Sequence, residues 1–171
     1  PGARGGPRRQ PLACAMKPAG PSLEARALRY LARREHSRAE LARKLARHAE
    51  DTPDAPAAQQ VDAVLDALAA AGLLSDRRAA EALVGAKAPR LGQMRLRKLL
   101  RERGVPDDEA AAALESVRGD ELARAPVVWQ RRFGAVAEDA AGRARQARFL
   151  AGRGFVAEVV RRVVRGLGDA G

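Results

Sequence analysis

From Ser22 onward, the apolar residues of this chain recur every three or four positions, which is the period of an α-helix with one buried face. Gly and Pro interrupt this pattern repeatedly and divide it into about nine short amphipathic segments. Asp76 is the expected N-cap of the fourth of these segments. The valines of the last segment, from Val159 to Val164, keep the helical period and do not alternate as they would in a strand. Aromatic residues make up only 3% of the chain, which argues against a β-sandwich or barrel. The sequence therefore predicts an all-α protein.

The middle segments of these predicted helices resemble one another, so the chain contains an internal repeat. The aligned positions are Ser37, Gly92 and Gly142 at the helix starts and Leu45, Leu100 and Leu150 near the helix ends. An Arg-Gly-apolar ending also recurs, at residues 103–105 and 153–155. Such repeats are typical of stacked supersecondary units, although Arg-rich helices also align by chance. We expect three tandem three-helix units, at residues 22–75, 76–118 and 119–171, after a basic tail rich in Pro and Gly at residues 1–21.

The cysteine count and the length of the apolar runs predict where in the cell the protein is located. Cys14 is the single cysteine, which excludes an internal disulfide and fits a reducing environment. No apolar run reaches the roughly 18 residues that a membrane span needs. The apolar stretch Leu12–Met16 is too short for the core of a signal peptide. We therefore expect a cytoplasmic protein with no membrane segment. The chain begins at Pro1 and not at a methionine, and Met16 is a candidate for the natural start.

No constellation of catalytic side chains is recognisable in the sequence. Residues 166–171 match the glycine pattern of a dinucleotide-binding loop, but they follow a predicted helix and not a strand. His36 and His48 are the only histidines and have no cysteine nearby, so we expect no metal and no cofactor. The acidic residues 107–109 are what the first turn of a helix favours. The sequence favours a protein that is not an enzyme.

Positive charge concentrates on the predicted middle helix of each unit. The chain has 32 Lys and Arg against 21 Asp and Glu, and only four of the basic residues lie in the tail. The candidate binding residues are Arg38, Arg43, Lys44 and Arg47 in the first unit, Arg95, Arg97, Lys98 and Arg101 in the second, and Arg143, Arg145 and Arg148 in the third. Units stacked in one direction would join these helices into a basic stripe, which suits an extended anionic partner. The alternative is that Arg merely solvates the surface of an Ala- and Arg-rich chain.

Several segments resemble the RecX family, whose members regulate the RecA recombinase. Residues 27–41, ALRYLARREHSRAEL, are similar to the first-repeat signature of that family, and residues 64–76 are similar to its third helix and the following turn. Residues 92–105 resemble the middle helix of its second repeat, and QARFLAGRGF at residues 146–155 resembles the third repeat. The resemblance covers about residues 22–167. It implies three tandem three-helix units in an elongated, curved stack.

The resemblance also implies a function. A RecX-like protein is expected to be a monomer that binds the filament of RecA on single-stranded DNA. There it mostly inhibits ATP hydrolysis, filament growth and strand exchange, and so regulates DNA repair, homologous recombination and the SOS response. The basic middle helices would face the filament, and direct contact with DNA is also a property of the family. Two other functions stay open: a general DNA-binding protein of stacked helix-turn-helix-like units, and a helical adaptor whose charge is incidental.

The chain departs from the family pattern at two places. The family usually has an aromatic residue shortly after the position of Asp76, where this chain has Ala79 and Ala80. We therefore expect a less filled core in the second unit. The loop from Glu50 to Ala57 has the character of an insertion.

Overall fold

The computed structural model describes residues 20–166, which form nine α-helices and no strand. The helices are α1 (Leu23–Leu31), α2 (Arg38–Leu45), α3 (Ala57–Ala70), α4 (Asp76–Lys87), α5 (Gln93–Glu102), α6 (Asp107–Arg118), α7 (Glu121–Phe133), α8 (Ala140–Gly152) and α9 (Ala157–Arg165). None of them is long and apolar enough to cross a membrane. The basic tail predicted for residues 1–21 lies almost wholly outside the described residues, as does most of the glycine motif at residues 166–171.

The nine helices pack as three successive units, α1–α3, α4–α6 and α7–α9. Every extensive helix–helix contact lies within one of these units, and each unit has a hydrophobic core of its own. The aligned leucines Leu45, Leu100 and Leu150 are completely buried, one in each core. Ala79 and Ala80 are also buried, beside Leu83 in the second unit. The predicted all-α fold of three tandem three-helix units is confirmed.

The repeated Arg-Gly-apolar sequence ends two middle helices in the same way. After α5, Gly104 has a φ of 70°, and after α8, Gly154 has a φ of 83°. Residues with a side chain rarely adopt this left-handed conformation, so glycine is favoured at both positions. The following amides of Val105 and Phe155 each donate to the carbonyl of the leucine five residues earlier, at 3.1 and 3.3 Å. The local sequence therefore determines where these helices stop.

Two helix starts differ from the prediction. Asp76 is not the cap of α4, because the Ser75 hydroxyl accepts the hydrogen bond from the Arg78 amide at 3.2 Å. The Asp76 carboxylate is free to bond elsewhere as a result. Similarly, α8 begins at Ala140 and not at Gly142, because the carboxylate of Asp139 accepts from the Gly142 amide at 2.6 Å. In both cases a neighbouring polar side chain is the better N-cap.

Candidate functional site

The middle helices of the first two units meet end to end. At the carboxyl end of α5, the Arg103 carbonyl accepts a hydrogen bond from the Ser37 hydroxyl at the start of α2. The same hydroxyl accepts from the Glu40 amide at 3.1 Å, so it caps α2 and joins the two units at once. Arg43 of α2 donates to the Glu102 carbonyl at 3.1 Å. The free carbonyl groups at the end of α5 thus find donors in the preceding unit.

The joint between the second and third units repeats this arrangement. The Gly92 amide, just before α5, donates to the Arg153 carbonyl at the end of α8 over 2.9 Å. The Met94 amide donates to the Gly154 carbonyl over 3.0 Å. The backbones approach so closely that a β-carbon on Gly92 would lie 2.3 Å from the Gly154 oxygen. Only a residue without a side chain fits between the two helix ends.

A carboxylate from the next unit completes each joint. Asp76, the first residue of α4, accepts from the Arg38 amide at 2.8 Å. Glu121, the first residue of α7, is buried and accepts from the Gln93 amide at 3.4 Å and the Val156 amide at 3.1 Å. A negative charge at a helix amino end interacts favourably with the helix dipole. As a result α8, α5 and α2 follow one another head to tail, and we call this arrangement the middle-helix row.

The structure places the predicted basic residues along this row with different degrees of exposure. Arg43, Arg47, Arg95, Arg97, Lys98, Arg101, Arg145 and Arg148 are exposed, whereas Arg38, Lys44 and Arg143 are partly buried. Six of the exposed residues form no ion pair and no side-chain hydrogen bond with any residue in the range 20–166: Arg47, Arg95, Arg97, Arg101, Arg145 and Arg148. These six are the cations of the row that remain available for an external partner.

The partly buried cations have partners inside the protein. The Arg38 guanidinium lies 2.7 Å from Asp66 and 3.7 Å from Asp62, both on α3. Arg143 donates to the carbonyl groups of Ala137 and Glu138, which precede α8. Because these two guanidinium groups already bind groups of the same chain, they contribute less to a binding surface than the sequence suggests.

Lys44 belongs to a small buried cluster around His36. The Nδ1 atom of His36 donates to the Arg34 carbonyl at 2.9 Å, which leaves Nε2 to accept from the Lys44 ammonium at 2.9 Å. That ammonium also lies 4.6 Å from the centre of the Tyr30 ring, a cation–π distance. Burial is the main cause that lowers the pKa of His36 below its ordinary value. Burial likewise lowers the pKa of Lys44. The cluster therefore holds a neutral imidazole beside a positive charge.

Arg124 ties the second unit to the third, although no sequence pattern singles it out. Its guanidinium donates to the carbonyl groups of Ala88 and Leu91 and, at 3.0 Å, to that of Val117. All three acceptors lie at helix ends or in loops of the second unit. Nothing in the sequence around Arg124 distinguishes it from the other arginines, because its role depends on carbonyl groups that only the folded chain brings together. The described residues include no group of three or more His, Cys, Asp or Glu placed to hold a metal.

The family to which this chain belongs follows from its match to models of known domains. Models of three RecX domains match it in succession: the first three-helix domain at residues 25–68, the second at residues 75–114 and the third at residues 119–164. The chain belongs to the RecX family. The family resemblance read from the sequence is thereby confirmed.

Individual relatives agree with this assignment. A protein of Leptothrix cholodnii named "Regulatory protein RecX" is 51% identical over 144 residues, which cover 84% of this chain and 88% of the relative. A protein of the same name from Herminiimonas arsenicoxydans is 45% identical over 144 residues, which cover 84% of this chain and 91% of the relative. These RecX relatives support a regulatory role for the chain.

Solved structures show the same fold. The crystal structure of RecX from Lactobacillus salivarius superposes with a TM-score of 0.69 over 84% of this chain and 92% of that chain, at 18% sequence identity. A second crystal structure of a regulatory protein RecX has a TM-score of 0.65 and 19% identity, and the match covers 84% of this chain and 72% of the other. The RecX architecture is thus retained at low sequence identity.

Proposed function

We propose that this RecX-family protein binds the filament of RecA on single-stranded DNA and mostly inhibits its ATP hydrolysis, growth and strand exchange. It acts by contact and not by catalysis, as a cytoplasmic monomer, and so regulates DNA repair, homologous recombination and the SOS response. Membership of the RecX family supports the regulatory part of this proposal. The middle-helix row supports the filament as the partner.

The observation that carries the proposal is the head-to-tail order of α8, α5 and α2. A single exposed cation contributes little, because water and salt screen its charge beyond about 8 Å at physiological ionic strength. A row of three basic helices instead makes several contacts at once with a partner that repeats along its length. A nucleoprotein filament is such a partner. The six unpaired arginines, two of which are Arg97 on α5 and Arg148 on α8, would supply these contacts.

Charge reversal on two middle helices tests the proposal. The experiment measures the DNA-dependent ATP hydrolysis of RecA on single-stranded DNA while the protein is titrated at substoichiometric levels. We expect the parent protein to stop hydrolysis well below one copy per RecA. The double variant R97E/R148E should need at least about tenfold more protein, because each reversal replaces an attraction with a repulsion of about 1 kcal/mol at 4 Å in water.

A matched variant separates site from net charge. R29E/R162E reverses two exposed arginines on α1 and α9, away from the row, and changes the total charge by the same amount. We expect it to inhibit RecA as the parent does. Equal inhibition by R97E/R148E and the parent would rule out the row as the contact surface. Inhibition by the parent only at levels that coat the DNA would instead favour a general DNA-binding protein, and binding insensitive to salt would favour an adaptor.

A further inference from the structure

A basic groove lies beside the middle-helix row, between the second and third units. Two adjoining surface pockets with volumes of about 240 and 420 Å³ share Arg132 and Phe149 in their walls. The smaller pocket is also lined by Arg90, Arg131 and Arg153, and the larger by Arg145. We call these five arginines around Phe149 the arginine groove. Four of them, Arg90, Arg131, Arg132 and Arg153, are not among the residues that the sequence pointed to.

The groove gathers positive charge with no compensation from the described part of the chain. No acidic side chain lines either pocket. Within residues 20–166, none of the five guanidinium groups forms an ion pair or a side-chain hydrogen bond. Other arginines of the third unit behave differently, since Arg161 pairs with Glu158 and Arg143 binds two carbonyl groups. Like charges held close together repel, so this arrangement favours an anion from outside.

The guanidinium of Arg153 is oriented by an aromatic ring. Its central carbon lies 4.4 Å from the centre of the Phe149 ring, and Phe133 packs edge-on against the same ring at 5.2 Å. The Nε atom of Arg153 is buried and has no hydrogen-bond partner among the described residues. The two terminal nitrogens of the guanidinium have no hydrogen-bond partner among the described residues, and stacking on the ring leaves their in-plane N–H donors free to pair with the oxygens of a phosphate.

The groove is continuous with the middle-helix row. Arg145 lines the groove and also belongs to the row on α8. The backbone of Arg153 accepts the hydrogen bond from Gly92 that joins α8 to α5. A long anionic ligand that follows the row therefore meets the groove at this joint.

We propose that the arginine groove binds the phosphodiester backbone of a single-stranded DNA. A phosphodiester strand carries one negative charge at every link, so it meets several arginines in succession across both pockets. A small anion would contact one pocket only, and a peptide would need a run of consecutive acidic residues. The choice of a single strand rests on the proposed function, because that strand is the nucleic acid of the RecA filament. Two aromatic rings, Phe133 and Phe149, line the larger pocket, and they are engaged with each other and with Arg153. The groove therefore offers its arginines to the phosphate backbone and does not read the bases.

Binding of a fluorescently labelled thymidine oligonucleotide, followed by anisotropy without RecA, tests this inference. The variant is R90A/R132A, and the matched control is R118A/R161A, which removes two arginines paired with acids outside the groove. Both pairs are on the surface, and circular dichroism verifies that the helices are intact. For R90A/R132A we expect at least about tenfold weaker binding at low salt. The slope of log affinity against log salt should fall by about 1.4, which is about 0.7 for each lost phosphate contact on a single strand. The control should change the affinity less than about twofold.

The outcomes decide whether the groove is the binding site and whether a DNA strand is its ligand. Equal losses in the two double variants would show a net-charge effect and would overturn the groove. Competition by pyrophosphate or by poly-glutamate at lower concentration than by unlabelled oligonucleotide would overturn the strand as its ligand. The assay contains no RecA, so its failure is distinct from a failure of the ATP hydrolysis test. A variant that loses DNA binding but still inhibits RecA would support the groove and leave the proposed function standing.

Discussion

The close approach at Gly92 leads to a sharp prediction for the variant Gly92→Ala. The backbone of Gly92 has φ −82° and ψ 168°, which alanine adopts without strain. The substitution therefore adds only a methyl group, with no conformational penalty. That methyl would lie 2.3 Å from both the Gly154 oxygen and the Phe155 nitrogen, which are backbone atoms and cannot turn aside as a side chain does. The helix ends must separate by about 1 Å or more to restore normal contact.

The energetic cost is limited by what the joint contributes. Separation breaks the hydrogen bonds from Gly92 to Arg153 and from Met94 to Gly154, which are 2.9 and 3.0 Å long. Each contributes about 1 kcal/mol net, and more where a buried group is left without a partner. Alanine returns about 0.4–1 kcal/mol by restricting the unfolded chain. We therefore expect a net loss of about 2–4 kcal/mol in the free energy of unfolding, concentrated at the joint between the second and third units.

Urea denaturation with two probes measures this loss. Trp129 is the only tryptophan and is buried in the core of the third unit, so its fluorescence reports on that unit alone. Far-ultraviolet circular dichroism reports on all helices. In the parent the two transitions should coincide, because joints couple neighbouring repeats. In Gly92→Ala the fluorescence transition should move to lower urea, ahead of the circular dichroism transition.

The matched control is Gly85→Ala in the interior of α4. A β-carbon on Gly85 has nothing within 4 Å, so this variant should gain up to about 1 kcal/mol from helix propensity. Coincident transitions and an unchanged midpoint in Gly92→Ala would refute the reasoning, because they would show that the joint opens at no cost or does not couple the units.

Two further predictions concern His36 and Arg124. Burial lowers the pKa of His36 below its ordinary value of 6.5. Near and below pH 6.5, His36 therefore binds a proton in the unfolded chain but resists it in the folded protein. As a result, the free energy of unfolding should fall as the pH drops from about 7.5 to 5.5. His36→Asn should flatten that fall in the urea midpoint; the same pH dependence in variant and parent would contradict the role of His36. Arg124→Lys should lose about 2 kcal/mol, because one ammonium does not reach three separated carbonyl groups as the guanidinium does. Arg118→Lys, at an exposed ion pair, should unfold at the urea concentration of the parent, and equal midpoints for both variants would refute the bridging role.

The helices and their grouping were predictable from sequence because both depend on local rules. An apolar residue at every third or fourth position describes one buried helix face wherever that helix packs. The three-residue Arg-Gly-apolar endings are typical of a helix that stops at a left-handed glycine, and the structure has this conformation at Gly104 and Gly154. The position of Leu150 in its core follows from the same alignment as those of Leu45 and Leu100. Capping was less predictable, since Ser75 and Asp76 are both good caps and only the neighbouring unit decides which one is used.

The candidate site was predictable in part. The sequence identified the basic middle helices, and the fold places Arg97, Arg101 and Arg148 on the surface with no partner among the described residues. It could not show that Arg38 is paired with Asp66, because that contact crosses from one helix to another. It also did not show the arginine groove, whose members come from the loop after α4, from α7, and from the interior and the carboxyl end of α8. Residues so far apart in sequence leave no local pattern.

The sequence by itself thus determined the helical period, the three units and the sign of the charge on each middle helix. The tertiary structure alone decided how the units join. In the sequence, four of the residues at the joints are ordinary helix-end residues: Ser37, Gly92, Asp76 and Glu121. In the structure, Ser37 donates to the backbone of another unit, Asp76 and Glu121 accept from it, and Gly92 lets it approach. Unpaired amide and carbonyl groups at helix ends must find partners, and which end meets which depends on three-dimensional packing. That packing turns three separate basic helices into one row.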